Sequence, residues 1–387
     1  MVSGACPEGG ERVSIEEVVF GFSDEIGPEK VIYFYEPRTQ LKAILVVDNT
    51  ALGPGIGGVR MAPNVSTEEV FRLARAMTLK NAAAGIPYGG AKSALLAEPD
   101  VVDRDEKIRV YARMLRNQVD YIPGPDMGTD EHCMAIMHGE CGRAAGLPAD
   151  LGGIPLDEIG VTGYGAVEAA EVAARFVGKD LNGATVAIEG FGAVGQACFR
   201  AVVDKGARVV AVSDIHGGIY ESGGLDFEAL VTRDPETGKP LKLWSRRFEG
   251  GRRISRAELF SLDVDMVIPG ARPDVITMEN VGNVKAWLVV EAANIPVSIE
   301  AERWLADHGT VVIPDFIANA GGVIAGSVEL RKGTAEESFV VAEQQIRHNV
   351  QKVLEKARKE KVLPRVAAEN IARRRVLQAM KGEREDV

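Results

Sequence analysis

Residues 184–214, "ATVAIEGFGAVGQACFRAVVDKGARVVAVSD", constrain the fold more than any other stretch. A β-branched apolar run leads into Gly190, Gly192 and Gly195 in GxGxxG spacing. A helical pattern follows, and a second apolar run ends at Asp214, 19 residues beyond Gly195. In that context each glycine has its own duty: a tight turn, close backbone approach to a pyrophosphate, and close packing of helix on strand. The helix N-terminus offers free N–H groups to the anion. The loop Gly190, Phe191, Gly192, Ala193, Val194 and Gly195 is therefore expected to hold a dinucleotide. Asp214 is expected to bind the adenosine ribose, which favours NAD over NADP because a carboxylate repels the 2′-phosphate. A glycine turn that binds nothing is the alternative.

The runs "ATVAIEG", "ARVVAVSD", "VDMVIPG", "AWLVVEAAN" and "TVVIPD" are short and unalternating, as in parallel strands buried on both faces. This predicts an α/β fold with a Rossmann-type doubly wound domain at 151–330. A chain of 387 residues exceeds one core, so a second α/β domain is expected at 1–150. The Gly- and Pro-rich stretch 146–163 is the expected junction. Within the first domain, residues 31–48 read as two strands around a turn. "STEEVFRLARAMTLKNAAAG" reads as a helix with a Ser66/Glu69 capping box that ends at Gly85. Further helices are expected at 104–120, 130–145 and 163–177, and beyond 335.

A net charge of −11 argues against a nucleic-acid partner. The basic runs at 245–256 and 372–376 read as solvated faces. There is no apolar leader and no run of about 18 apolar residues, so a cytoplasmic chain without a membrane span is expected. Cys6, Cys133, Cys141 and Cys198 lack CxxC spacing and fit reduced thiols. A metal site from His132, Cys133, His138 and Cys141 is disfavoured by the spacing, and no metal is expected.

"AGIPYGGAKSALL" (84–96) places Lys92 among small and apolar residues. The stretch approaches the GxxxxGK[ST] phosphate loop, but Ala91 breaks the match and a helix, not a strand, precedes it. Lys80 lies twelve residues earlier and Asp126 sits in "YIPGPDMGTDE". Two lysines and a carboxylate near glycine turns could bind a carboxylate and move protons, one lysine having its pKa lowered by burial and a neighbouring cation. Two snorkelling surface lysines and a turn aspartate fit the spacing as well.

"LKAILVVDNTALGPGIGGVRMAP", "MTLKNAAAGIPYGGAKSA", "GPDMGT", "VTGYGAVEAAE", "VAIEGFGAVG", "VEAANIPV" and "IPDFIANAGGVI" resemble, in order, the motifs of the glutamate/leucine/phenylalanine/valine dehydrogenase superfamily. The resemblance implies a two-domain enzyme with a cleft between its domains. It would oxidatively deaminate an L-amino acid to a 2-oxo acid and ammonia with a nicotinamide cofactor. It also implies that residues 331–387 return to the first domain and that the protein is a homo-oligomer, a hexamer or octamer. By motif position, Lys80 would hold the substrate α-carboxylate, Lys92 would be the catalytic amine and Asp126 would shuttle protons. Thr162, Ala292, Asn294 and Asn319 would surround the nicotinamide and the substrate carboxylate.

Glutamate-specific members have a lysine before the Gly-Gly of the first motif and a serine seven residues after the Asn of "NAGG". Here those positions are Ile56 and Gly326. An unpaired buried carboxylate is costly. An apolar substrate side chain of the leucine, valine or phenylalanine type is therefore expected, in a pocket of Ile56, Gly57, Gly58, Gly124, Val323 and Gly326. Other motifs look as much like glutamate dehydrogenases, which is the alternative. A non-catalytic nicotinamide sensor would need no Lys92 and Asp126, and a hydroxy-acid dehydrogenase would be expected to use a histidine base.

Overall fold

The computed structural model describes residues 20–231 and 251–382, so Cys6 and residues 245–250 lie outside the described residues. The chain forms two compact units, one of residues up to Thr78 with Gly89–Arg143, the other of Leu79–Tyr88 with the residues from Ala144 onward.

The first unit holds a five-stranded sheet in the order β1-β2-β4-β3-β5. Its strands are β1 Lys30–Glu36, β2 Leu41–Asn49, β3 Gly55–Met61, β4 Gly89–Leu95 and β5 Tyr121–Pro125. The expected pair at 31–48 forms as antiparallel β1 and β2, from Lys30 opposite Val47 to Glu36 opposite Leu41. β2 is also antiparallel to β4, whereas β3 lies parallel to β4 and β5.

Lys92, read from the sequence as part of a glycine loop, stands on strand β4, every residue of which is buried. β3, β4 and β5 carry too many glycines and prolines to show a strand signature. The glycines serve contact instead. A Cβ on Gly57 would lie 1.6 Å from the Ala91 carbonyl oxygen, and one on Gly90 2.1 Å from the Thr78 nitrogen.

One face of this sheet packs Ile44, Val46 and Ala94 against Val65, Val70, Phe71 and Ala74, the last three on helix Thr67–Ala84. That helix starts with Ser66 Oγ accepting from the Glu69 backbone N–H at 3.1 Å and ends before Gly85, whose φ is +77°. The capping box is half formed, because the Glu69 carboxylate is engaged by Arg60. Helices Arg104–Met114 and Glu131–Cys141 are shorter than expected; the second stops where Gly142 adopts a left-handed conformation.

The second unit holds a seven-stranded sheet in the order β12-β11-β10-β6-β7-β8-β9. Its parallel strands are the five expected runs, β6 Thr185–Glu189, β7 Arg208–Asp214, β10 Met266–Pro269, β11 Leu288–Val290 and β12 Val311–Ile313. β8 Gly217–Tyr220 and β9 Arg252–Ile254 extend the edge antiparallel and were not foreseen, being short and opening on two glycines and two arginines respectively. The order reverses at β6, between β10 and β7, which is the switch point of a doubly wound sheet. Ala187, Val210, Val267, Val289, Leu305 and Val312 lie in its core.

The last helices, Ala335–Glu360 and Pro364–Met380, belong to this second unit by packing. Arg347 of the first donates to Glu171 Oε2 at 2.6 Å and also pairs with Glu168, both on helix Val161–Phe176. The motif resemblance implies that residues 331–387 return to the first domain, whereas the described residues among them group with the second unit, where Arg347 makes these ion pairs. No helix among the described residues is long and apolar enough to cross a membrane.

Candidate active site

In the first unit, side-chain alternation assembles the site. Ile56, Gly58 and Arg60 share one face of β3, while Gly90, Lys92 and Ala94 share the same face of β4, as Ile56 opposite Gly90 and Arg60 opposite Ala94 require. Gly124 lies opposite Gly58 on β5, so Asp126, two residues later, emerges on that face too.

The Lys92 ammonium reaches the Asp126 carboxylate, Lys92 being 6% exposed. Gly58 makes this contact possible: a Cβ there would lie 2.6 Å from Asp126 Cβ and 3.0 Å from Lys92 Nζ. Burial pushes the Lys92 amine below the usual lysine range; Asp126 opposes the fall and Arg60 adds to it. Burial pushes the Asp126 carboxyl up, but Lys92 and Arg60 outweigh it and hold the group below its ordinary value. The Asp126 backbone N–H donates to Thr129 Oγ1 at 3.0 Å, which fixes the turn.

Sequence reasoning missed Arg60. Its Nε lies 3.3 Å from Asp126 Oδ2 and its guanidinium also binds Glu69. The signal available was the alternation of "GIGGVRM", which would have been readable only once that stretch was known to be a strand.

The second unit gathers a different set. Lys80 Nζ donates to Asn319 Oδ1 at 2.7 Å, and Asn319 Nδ2 donates to Asn294 Oδ1 at 3.0 Å and to the Ala293 carbonyl at 3.3 Å. Lys80, Asn294 and Asn319 are thus brought together, with Ala292 buried beside them. Thr162 lies against the "NAGG" glycines: a Cβ on Gly322 would meet Thr162 Oγ1 at 3.2 Å. Val323 is half-buried on helix Gly321–Leu330, and a Cβ on buried Gly326 would meet nothing within 4 Å.

Beneath Asn294 lies a buried charge cluster that the sequence did not reveal. Arg365 donates to Glu302 and Glu291 at 2.6 Å each and to Asp315 at 2.9 Å. Asp315 Oδ2 in turn accepts from the Ile295 backbone at 3.0 Å, where φ is +50°. Burial, then repulsion from Glu302 and Asp315, pushes the Glu291 carboxyl well up against the pull of Arg365. The cluster pins both ends of the Glu291–Ile295 turn, and with it Ala292 and Asn294.

The glycine loop follows β6 as expected. Gly190 has φ +90° and packs on Ala271; a Cβ on Gly195 would lie 1.8 Å from the Gly190 carbonyl oxygen; a Cβ on Gly192 would meet nothing within 4 Å. Helix Ala193–Asp204 has no side-chain N-cap, so the N–H groups of Ala193, Val194 and Gly195 face the loop without intrahelical partners. Phe191 is half-buried and stacks edge-on toward Phe199. Asp214 closes β7, its Oδ1 accepting from His216 N–H at 2.7 Å. This arrangement fits a dinucleotide, with open space at the one glycine where the pyrophosphate has to approach. Among the described residues, no group of three or more His, Cys, Asp or Glu is placed to hold a metal ion. Cys133, Cys141 and Cys198 are free thiols.

A family model described as "Glu/Leu/Phe/Val dehydrogenase, dimerisation domain" matches residues 28–143, and one described as "Glutamate/Leucine/Phenylalanine/Valine dehydrogenase" matches residues 152–384. The glutamate dehydrogenase of Aeropyrum pernix is 38% identical over 359 residues, 86% of this chain and 84% of that protein. The NADP(+)-dependent glutamate dehydrogenase of Pyrobaculum calidifontis is 41% identical over 302 residues, 73% of this chain and 71% of that protein. The crystal structure of the hetero-hexameric glutamate dehydrogenase of Thermus thermophilus, Leu bound form, superposes with a TM-score of 0.77 at 29% identity, covering 92% of this chain and 89% of that one. With both family models matched in order over the two α/β units, the chain belongs to the glutamate/leucine/phenylalanine/valine dehydrogenase family.

Proposed function

We propose that the protein is an NAD(P)-dependent dehydrogenase that reversibly converts an L-amino acid into its 2-oxo acid and ammonia. The observation that carries this reading is the Lys92 and Asp126 contact over Gly58, a depressed amine beside a carboxylate on one sheet face. The nicotinamide, when bound, supplies the hydride acceptor. Lys80, oriented by Asn319, holds the substrate α-carboxylate. At the substrate's iminium carbon, neutral Lys92 takes a proton from the attacking water, and Asp126 relays a proton to the departing amine. Gly190, Gly192 and Gly195 with Asp214 hold the dinucleotide, and Thr162, Ala292 and Asn294 line its nicotinamide end.

For the substrate, the names of the relatives support glutamate. The second reading, an apolar side chain, is favoured by one observation: the catalytic face of β3 carries Ile56 where a glutamate enzyme is expected to carry lysine. For the cofactor, Asp214 supports NAD, against the NADP-dependence named for the Pyrobaculum calidifontis relative. The dimerisation-domain match supports a homo-oligomer, to be sized by light scattering.

The test is a panel of L-amino acids with NAD and with NADP, followed by the absorbance of reduced cofactor. Reduction with an amino acid is expected. Nucleotide binding without turnover on any amino acid would turn the reading into that of a sensor.

A further inference from the structure

Arg60 and Glu69 belong to no role assigned so far, yet Arg60 reaches Asp126 and Glu69 holds Arg60. Arg60 approaches Asp126 through Nε at 3.3 Å from Oδ2 and Nη2 at 3.5 Å from Oδ1, while its Nη1 is held by Glu69. The Arg60 side chain is 18% exposed and that of Glu69 39%. We infer that Arg60, anchored by Glu69, is the positioning and charge-setting residue of the Lys92 and Asp126 pair. The inference rests on the reading of Lys92 as the catalytic amine.

Two cations reach one carboxylate here. Asp126 lies between two, and only one of them, Lys92, can release its proton, because a guanidinium stays charged at every working pH. Arg60 therefore keeps Asp126 anionic and oriented while Lys92 alternates between its two forms. The same fixed charge makes the protonated form of Lys92 less favourable, and Glu69 works in the opposite sense. The charged groups facing Lys92 are Arg60 from β3, Asp126 from the end of β5 and Glu69 from helix Thr67–Ala84; its partner across β2 is the apolar Val46.

The sign of each effect follows. A base works when neutral, so kcat/KM rises as pH rises through the Lys92 pKa of the free enzyme. Arg60→Gln removes a charge that lowers that pKa, so this limb should move to higher pH. Glu69→Gln removes a charge that raises it, so the limb should move to lower pH. Arg60→Lys keeps the charge and loses the fork; its limb should stay in place while kcat falls about tenfold or more from misorientation.

The experiment is the pH profile of kcat/KM for wild type, Arg60→Gln, Arg60→Lys and Glu69→Gln, with thermal unfolding and nucleotide affinity measured alongside. Opposite displacements for Arg60→Gln and Glu69→Gln support the inference, since mere loss of packing would lower rates without moving the limb in two directions. An unmoved limb in both variants overturns it. A Lys92→Ala variant separates the two levels: if it retains turnover, the amine reading itself falls; if it is dead while Arg60→Gln keeps the wild-type limb, only the role of Arg60 falls.

Discussion

The Lys80 amine and the Asn319 carboxamide, 239 residues apart in sequence, meet at 2.7 Å. The Asn319 oxygen accepts from Lys80 while its Nδ2 donates to Asn294 Oδ1 and the Ala293 carbonyl, so one amide ties the candidate carboxylate ligand to the turn that carries Asn294. Lys80→Ala should raise KM for the amino acid about a hundredfold, because removing one partner of a sheltered charge pair costs about 2–5 kcal/mol. Nucleotide affinity should change far less. Asn319→Ala should disturb both, as it takes one partner from Lys80 and from the 292–294 turn together. Steady-state kinetics with each substrate varied in turn checks this; an unchanged KM in Lys80→Ala removes the carboxylate role.

The three fingerprint glycines should separate folding from binding. A methyl on Gly195 would press into the Gly190 carbonyl oxygen at 1.8 Å, and one on Gly190 would meet Ala271 at 2.6 Å with φ at +90°. Gly195→Ala and Gly190→Ala should each lose at least the about 1–3 kcal/mol typical of overpacking. Gly192 has φ −82° and open space for its methyl, so Gly192→Ala should unfold like wild type yet bind nucleotide at least about tenfold more weakly. Thermal unfolding with and without NAD reads both quantities; equal nucleotide affinity in Gly192→Ala would place the pyrophosphate elsewhere.

The same glycines explain how much of this molecule could be read in advance. The doubly wound sheet was legible because β6, β7, β10, β11 and β12 are apolar runs whose composition states their burial. β3, β4 and β5 were not, since glycine there answers to the closeness of neighbouring backbones, which is a tertiary property. Lys92, Lys80 and Asp126 stood out in sequence as polar residues near glycine turns, but the roles proposed for them, and the choice of Asn319, came from motif resemblance. Arg60 and Arg365 stayed hidden because an arginine in sequence does not announce which carboxylates surround it.

The Arg365 cluster carries a stability prediction. Arg365→Ala would leave Glu291, Glu302 and Asp315 buried without their cation, which should cost about 3–5 kcal/mol at neutral pH. Glu291→Gln should cost much less, because burial and its acidic neighbours already favour the protonated carboxyl, which an amide resembles. The sign follows from linkage. A raised folded pKa stabilises the protein below the ordinary carboxyl pKa, and this contribution is lost as pH rises through the folded value. Glu291→Gln should therefore gain on wild type as pH increases. Urea unfolding at pH 5 and pH 8 tests it; a constant difference between the two proteins would mean that Glu291 is ionised throughout.

The substrate side chain is the point on which residues and relatives pull apart, and Ile56 is where to test it. It shares the β3 face with Gly58 and Arg60, and so points to the side on which Lys92 and Asp126 meet. A substrate γ-carboxylate beside Ile56 would gain no partner from that residue, whereas a lysine there would supply one. Ile56→Lys should therefore raise kcat/KM for glutamate relative to leucine about a hundredfold or more, since an unpaired buried carboxylate is rejected far more strongly than a methylene mismatch of about 1–3 kcal/mol. Gly326→Ser should fold normally, its new side chain entering space where no atom lies within 4 Å of the added Cβ, and should shift the same ratio in the same direction by a smaller factor. The panel of amino acids measured on wild type, Ile56→Lys and Gly326→Ser gives the ratio directly. If wild type already prefers glutamate and Ile56→Lys leaves that preference unchanged, Ile56 does not face the side chain, and a different cation must bind the carboxylate.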